Sequence, residues 1–135
     1  MRQVMLVVFY SKFTTEPSIL QTWWHYILSN KKRNCQMVKH VILWTLKELS
    51  EEEKRAAKAG IKEGLENLKG KIPGLLEIKV VTDGLPGSTA DVMLDSSFES
   101  YEALKNYSTH PEHVAVADEK VRPFTAVRSC LDFEA

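Results

Sequence analysis

The sequence predicts an α+β fold whose elements follow the order β-α-β-β-α-β. Strand-like runs rich in β-branched and apolar residues recur at Val38–Leu46, Leu75–Thr82, Ala90–Asp95 and Val127–Phe133. Stretches with helical apolar spacing separate the first run from the second and the third from the fourth. A short turn, Asp83-Gly84-Leu85-Pro86-Gly87, is all that joins the second run to the third.

Each element has its own signal. Val38–Leu46 alternates His40, Ile42, Trp44 and Leu46 with Val41, Leu43 and Thr45, so it is apolar on both faces and expected to be buried on both. Ser50-Glu51-Glu52-Glu53 is a capping box that starts a helix. Ile61, Leu65, Leu68 and Ile72 give that helix its buried stripe, and Pro73-Gly74 ends it. Ala56, Gly60 and Gly64 lie beside the stripe. Each glycine costs a helix about 1 kcal/mol relative to alanine, so close packing against the sheet, or room for a ligand, is expected there. Ser100 caps the second helix, with Glu102 in its first turn. His110-Pro111 interrupts it, and Pro111 suits the first position of a new helical stretch. Val114, Ala117, Val121 and Phe124 mark that stretch's buried face.

The order is the ferredoxin-like split arrangement. With both helices on one face, the sheet's other face carries bare apolar residues. A second copy is the expected cover, because closed two-fold dimers dominate soluble oligomers. The expectation is a homodimer in which two antiparallel sheets close into an α/β barrel.

Composition narrows the function. A chain of 135 residues with 44% hydrophobic content suits a small globular domain with a modest core. The net charge is zero but uneven: residues 1–36 hold five basic residues and one acid, leaving 13 basic and 17 acidic residues in the remainder. A mildly acidic body argues against a nucleic-acid surface. Val4–Tyr10 is too short to span a membrane, and Ser11-Lys12-Phe13 is no cleavage site for a secretory signal, so a cytoplasmic protein is expected. Cys35 and Cys130 form no disulfide framework. Cys130 is expected to be a buried small hydrophobe. The pattern is irregular before Met37, where Val4–Tyr10 reads as a strand and Ile19–Leu28 as a short helix. Residues 1–36 therefore read as an extension, with 37–135 as the domain.

Within 37–135, Val38-Lys39-His40, Gly70-Lys71-Ile72-Pro73-Gly74-Leu75, Phe98-Glu99-Ser100 and Tyr107-Ser108-Thr109-His110-Pro111-Glu112-His113-Val114 occur in order, followed by Asp132-Phe133. The set resembles the stress-responsive dimeric α/β-barrel (Dabb) family, bacterial type, and nothing in that family corresponds to 1–36. The family includes the plant olivetolic acid cyclase, a cofactor-free enzyme that closes a ring by aldol condensation, and plant heat-stable stress proteins. The resemblance implies that Tyr107 and His113 carry acid–base work, with His40 as a further pocket histidine.

The chemistry suits those residue types. An aldol closure needs a base beside a carbonyl and a donor to its oxygen. A neutral imidazole and a protonated phenol supply these near neutral pH. His40, Ile42, Trp44, Ile61, Leu65 and His110 are the candidate ligand-binding residues around this pair. The same residues have structural readings: His110 as a helix cap, His113 and His40 as core histidines with backbone or strand partners. Trp44 stands where the cyclase has a smaller aliphatic residue, which favours a small apolar or aromatic ligand, or none. No close His/Cys/Asp spacing for zinc and no phosphate-gripping loop is present, so neither a metal nor a cofactor is expected. Three functions stay open: a small-molecule binder or cofactor-free cyclase/lyase, a non-catalytic stress-protective dimer, and a dimeric-barrel monooxygenase.

The motif set is complete without residues 1–36. A chain starting at Met37 is therefore expected to fold and dimerise like the full chain. Light scattering and thermal melting of both check this; a monomer, or a large loss of melting temperature on truncation, contradicts it.

Overall fold

In the computed structural model the chain divides into two units, 1–35 and 36–135, and the structure describes residues 21–25 and 37–135. Residues 21–25 are helical; the expected strand Val4–Tyr10 and the rest of the expected helix Ile19–Leu28 lie outside the described residues.

The second unit holds β1 (Val38–Leu46), α1 (Glu51–Glu66), β2 (Leu75–Val81), β3 (Val92–Phe98), α2 (Tyr101–Thr109), α3 (Pro111–Val116) and β4 (Thr125–Glu134). Its four strands form an antiparallel sheet of order β2-β3-β1-β4. This is the ferredoxin-like α+β arrangement. The third strand runs past the expected Asp95 to Phe98, a fully buried core residue.

Local chemistry sets the helix starts. Ser50 and Glu53 exchange side-chain and backbone hydrogen bonds as a complete capping box. Ser100 Oγ accepts the Ala103 amide at the start of α2. His110 is extended, ends α2, and accepts the Glu112 amide on Nδ1 at 3.2 Å, with Pro111 opening α3. α1 ends earlier than its apolar stripe: Leu68 and Ile72 are buried from the turns that follow it. Gly70 and Gly74 there both adopt φ of 80°, which an L side chain rarely adopts. After α3 the chain makes a π-helical turn over Ala117–Val121, closed by the Arg122 amide on the Ala117 carbonyl at 2.9 Å.

The core lies between one sheet face and the helices, around Ile42, Trp44, Ile61, Leu65, Leu94, Phe98 and Tyr107. β2 is an edge strand whose free backbone groups attract other strands. Here α1 answers them: Lys62 Nζ donates to the Val80 carbonyl at 2.8 Å, and Glu66 Oε1 accepts the Val80 amide at 2.9 Å. That amide, then Lys62, holds the Glu66 carboxyl below its usual range.

In the single chain the opposite sheet face is bare, so β1 is buried on its helix side alone. Val41 is only half-buried, and Leu43, Val127, Leu131 and Phe133 are exposed. The pairing of Val41 with Leu131 and Leu43 with Ser129 puts these residues on one surface.

The small residues of α1 serve a contact other than the expected one. A Cβ at Gly64 would meet Val116 Cγ1 at 2.9 Å, and one at Gly60 would meet only Lys120 Cδ at 3.8 Å. Gly64 thus lets α1 approach α3, not the sheet. Gly60→Ala is expected to stabilise by about 1 kcal/mol, raising the melting temperature by roughly 4–8 °C. Gly64→Ala is expected to lower it, because β-branched Val116 has no easy rotamer escape. Thermal melts of the two variants check this; equal shifts contradict the packing account.

Candidate functional site

Strand alternation aims His40, Ile42 and Trp44 from β1 under the helices, and all three are buried. Register then pairs His40 with Asp132, Ile42 with Cys130 and Trp44 with Arg128 of β4. Tyr107, buried on α2, and His113, on the half-turn after Pro111, approach from above. Between them is a cavity of about 300 Å³ lined by His40, Ile42, Trp44, Leu65, Leu94, Leu104, Tyr107, Ser108 and His113, then by Ala117, Val121, Arg122, Thr125 and Arg128.

The polar groups in this wall are tightly placed. The Tyr107 and His113 rings lie 4.1 Å apart between centroids, tilted by 36°. Tyr107 also packs on Phe98 at 4.9 Å, and His40 on Tyr107 at 6.3 Å, edge-on. The Tyr107 hydroxyl is buried with no hydrogen-bond partner among the described residues, and burial pushes its pKa far up. It therefore stays protonated as a donor. His113 has its pKa lowered, chiefly by burial, with the positive charges of Arg122 and Arg128 adding to it. Its Nδ1 lies 3.3 Å from the Ser108 carbonyl, so with that nitrogen protonated the ring donates there and carries its lone pair on Nε2. His40 Nδ1 lies 2.5 Å from Asp132 Oδ1. A carboxylate at Nδ1 holds the donating proton there and leaves Nε2 as the basic nitrogen.

Six of the eight residues singled out from sequence meet at the cavity: Tyr107, His113, His40, Ile42, Trp44 and Leu65. Ile61 is fully buried behind the wall, and His110 caps α3; neither lines the cavity. Trp44 lies in the wall and leaves the space open. Cys130 is exposed rather than buried, because β4 is an edge strand. Its thiol is pushed up by burial and then by Asp132, so it is not an activated nucleophile. Cys130 Sγ, His40 Nδ1 and Asp132 Oδ1 lie within 4.8 Å of one another. The fold thus assembles a His/Cys/Asp cluster that sequence spacing does not reveal. At 2.5 Å the His40–Asp132 contact is a hydrogen bond, not the spacing of two ligands on one metal ion. Arg122 and Arg128 are cavity residues that sequence reasoning missed, and Ser108 and Asp132 entered it only as parts of the motif set, with no role of their own; the alternation of Arg128, Cys130 and Asp132 is a signal for the β4 residues alone.

Comparison with known proteins agrees with this architecture. The model of the stress responsive A/B barrel domain matches residues 38–135. No curated protein matches the chain. A dimeric protein of unknown function with a ferredoxin-like fold from Bacteroides fragilis is 36% identical, with a TM-score of 0.70 over 74% of this chain and 97% of that one. A hydroxynitrile lyase from Passiflora edulis is 23% identical, with a TM-score of 0.58 over 74% of this chain and 94% of that one. A cofactor-independent oxygenase from Streptomyces nogalater is 13% identical, with a TM-score of 0.54 over 74% of this chain and 93% of that one. The last two likenesses concern the fold alone.

The unpartnered phenol yields a stability prediction. A buried hydroxyl with no partner costs about 1–3 kcal/mol. Tyr107→Phe removes it without emptying the ring's place between Phe98 and His113. The variant is expected to melt at or above the temperature of the parent. A drop of several degrees in calorimetry shows instead that the hydroxyl has a structural partner.

Proposed function

The chain belongs to the stress responsive A/B barrel domain family, and on that premise we propose that it is a homodimeric, cofactor-free small-molecule protein of cyclase or lyase type. The carrying observation is the cavity of about 300 Å³ whose wall holds the unpartnered Tyr107 hydroxyl against His113. A folded protein that leaves a buried donor unused does so at a cost, which a ligand acceptor would recover. Pockets of this volume lie at the small end of the ligand-binding range, consistent with a small apolar or aromatic ligand.

The reaction that these groups suit is proton transfer next to a carbonyl. His113, kept neutral by burial, takes the proton through its free ring nitrogen. The Tyr107 O–H donates to the carbonyl oxygen as charge builds there. His40, oriented by Asp132, holds a second basic nitrogen at the opposite wall to return or relay the proton. The Trp44, Leu94 and Leu104 side chains exclude water and strengthen these interactions. The same fold carries a lyase in Passiflora edulis and a cofactor-independent oxygenase in Streptomyces nogalater.

The homodimer reading rests on the bare sheet face. Leu43, Val127, Leu131 and Phe133 are 42–65% exposed in the single chain, a patch of the kind that marks an interface. The Bacteroides fragilis relative is described as dimeric. Among the described residues no helix is long and apolar enough to cross a membrane.

Exchange of α-protons tests the chemistry. Small aryl and alkyl ketones are incubated with the protein in heavy water and followed by NMR. The parent is expected to accelerate exchange, and His113→Asn and Tyr107→Phe to lose about 10²–10⁴-fold of that acceleration while still dimerising. If no such compound exchanges or binds, the non-catalytic stress-protective dimer replaces this reading.

A further inference from the structure

We propose that the cavity selects ligands bearing a carboxylate, held at its mouth by Arg128 and Arg122. The inference rests on the cavity being a ligand site, and it adds the class of ligand. The charges carry it. Two guanidiniums line the cavity, and among the described residues no carboxylate does. Asp132 is engaged by His40, and Asp118 pairs with Arg122 itself, so Arg128 is the guanidinium left for a ligand's carboxylate and Arg122 assists with its remaining N–H groups. Among the described residues no carboxylate forms an ion pair with Arg128, whose guanidinium lies beside the Cys130 thiol. Arg122 keeps free N–H groups beyond the one turned to Asp118, since a guanidinium offers five.

The placement has a direction. Arg128 faces the helices opposite Trp44, at the edge strand, while Leu94 and Leu104 close the apolar side. The space is cationic towards one wall and greasy towards the other. The unpaired Tyr107 hydroxyl, buried among these groups, is a further donor without an acceptor. Both arginines are close enough to disfavour a proton on His113, so the positive field reaches the reacting groups. Positive charge, unused donors and an apolar lining together describe a small organic acid with an aryl or alkyl body. Its carboxylate meets guanidinium at the mouth, and the body lies on Trp44.

Benzoate and its uncharged isostere benzamide separate charge from shape. Binding of each to the full chain is measured by calorimetry at low and raised salt. Benzoate is expected to bind at least about tenfold more tightly than benzamide, and less so as salt rises. Arg128→Gln is expected to remove most of that preference, weakening benzoate far more than benzamide. Arg128 is on an exposed edge, so the variant's fold is checked by an unchanged melting temperature. Equal affinity for the two compounds, or a preference untouched by Arg128→Gln and Arg122→Gln, overturns the carboxylate assignment and leaves the cavity as a ligand site. Binding of neither compound, together with no exchange of ketones, overturns both.

Discussion

The antiparallel pairing of β1 with β4 is the constraint on which the rest of this domain depends. It joins residues about ninety positions apart, His40 to Asp132 among them. Because side chains alternate with a period of two, that register decides at once which residues of both strands share the helix side. His40, Ile42 and Trp44 go under the helices together with Asp132, Cys130 and Arg128. Val41 and Leu43 go to the bare face together with Leu131 and Ser129. A slip of one residue would turn Arg128, Cys130 and Asp132 to the bare face and bring Ser129, Leu131 and Phe133 to the helix side in their place. The buried His40 ring then loses the partner that offsets the cost of its burial.

The helices answer a second constraint, the need to cover one face without filling it. α1 packs on the sheet through Ile61 and Leu65 and ties down β2 through Lys62 and Glu66. Gly64 lets α3 and its π-helical turn come close to α1. The chain between α2 and β4 is thereby carried across one end of the sheet, with His113, Ala117 and Val121 on its underside. The cavity is what remains between that span and Trp44. A π-helical turn in its wall fits the tendency of such turns to occur at functional sites.

Two surfaces of this domain are left unsatisfied, of different kinds. The bare sheet face is apolar and open, and water around Leu131 and Val127 is released when another such face covers it. The cavity is small and partly polar, and the Tyr107 hydroxyl within it lacks an acceptor. The first is a large, undirected surface suited to a partner copy. The second is directional and suited to a ligand with an oxygen in the right place. The bare apolar face and the cavity thus lie on opposite sides of one sheet, so each can be altered without the other.

Local chemistry was legible in the sequence by itself. The strand alternations, the capping box at Ser50, the Ser100 cap, the Pro111 start and the apolar stripes determined the element order and the buried faces. Each of these signals acts over a few residues and needs no distant partner. The Tyr107–His113 pair was legible only through the resemblance of its motif to the family, since the extended His110 separates α2 from α3 and no single apolar stripe joins the two residues. Other features were decided only by the tertiary structure. Asp132 beside His40, Arg128 at the cavity mouth, and the exposed Cys130 all depend on β4 being an edge strand with one particular register. Gly64 reads as a helix defect until Val116 is placed against it. Whether Trp44 fills or lines its space depends on how far the helices stand from the sheet. Strand register and the distance between layers are settled by many contacts acting together across the whole domain, and no short stretch of the chain encodes them.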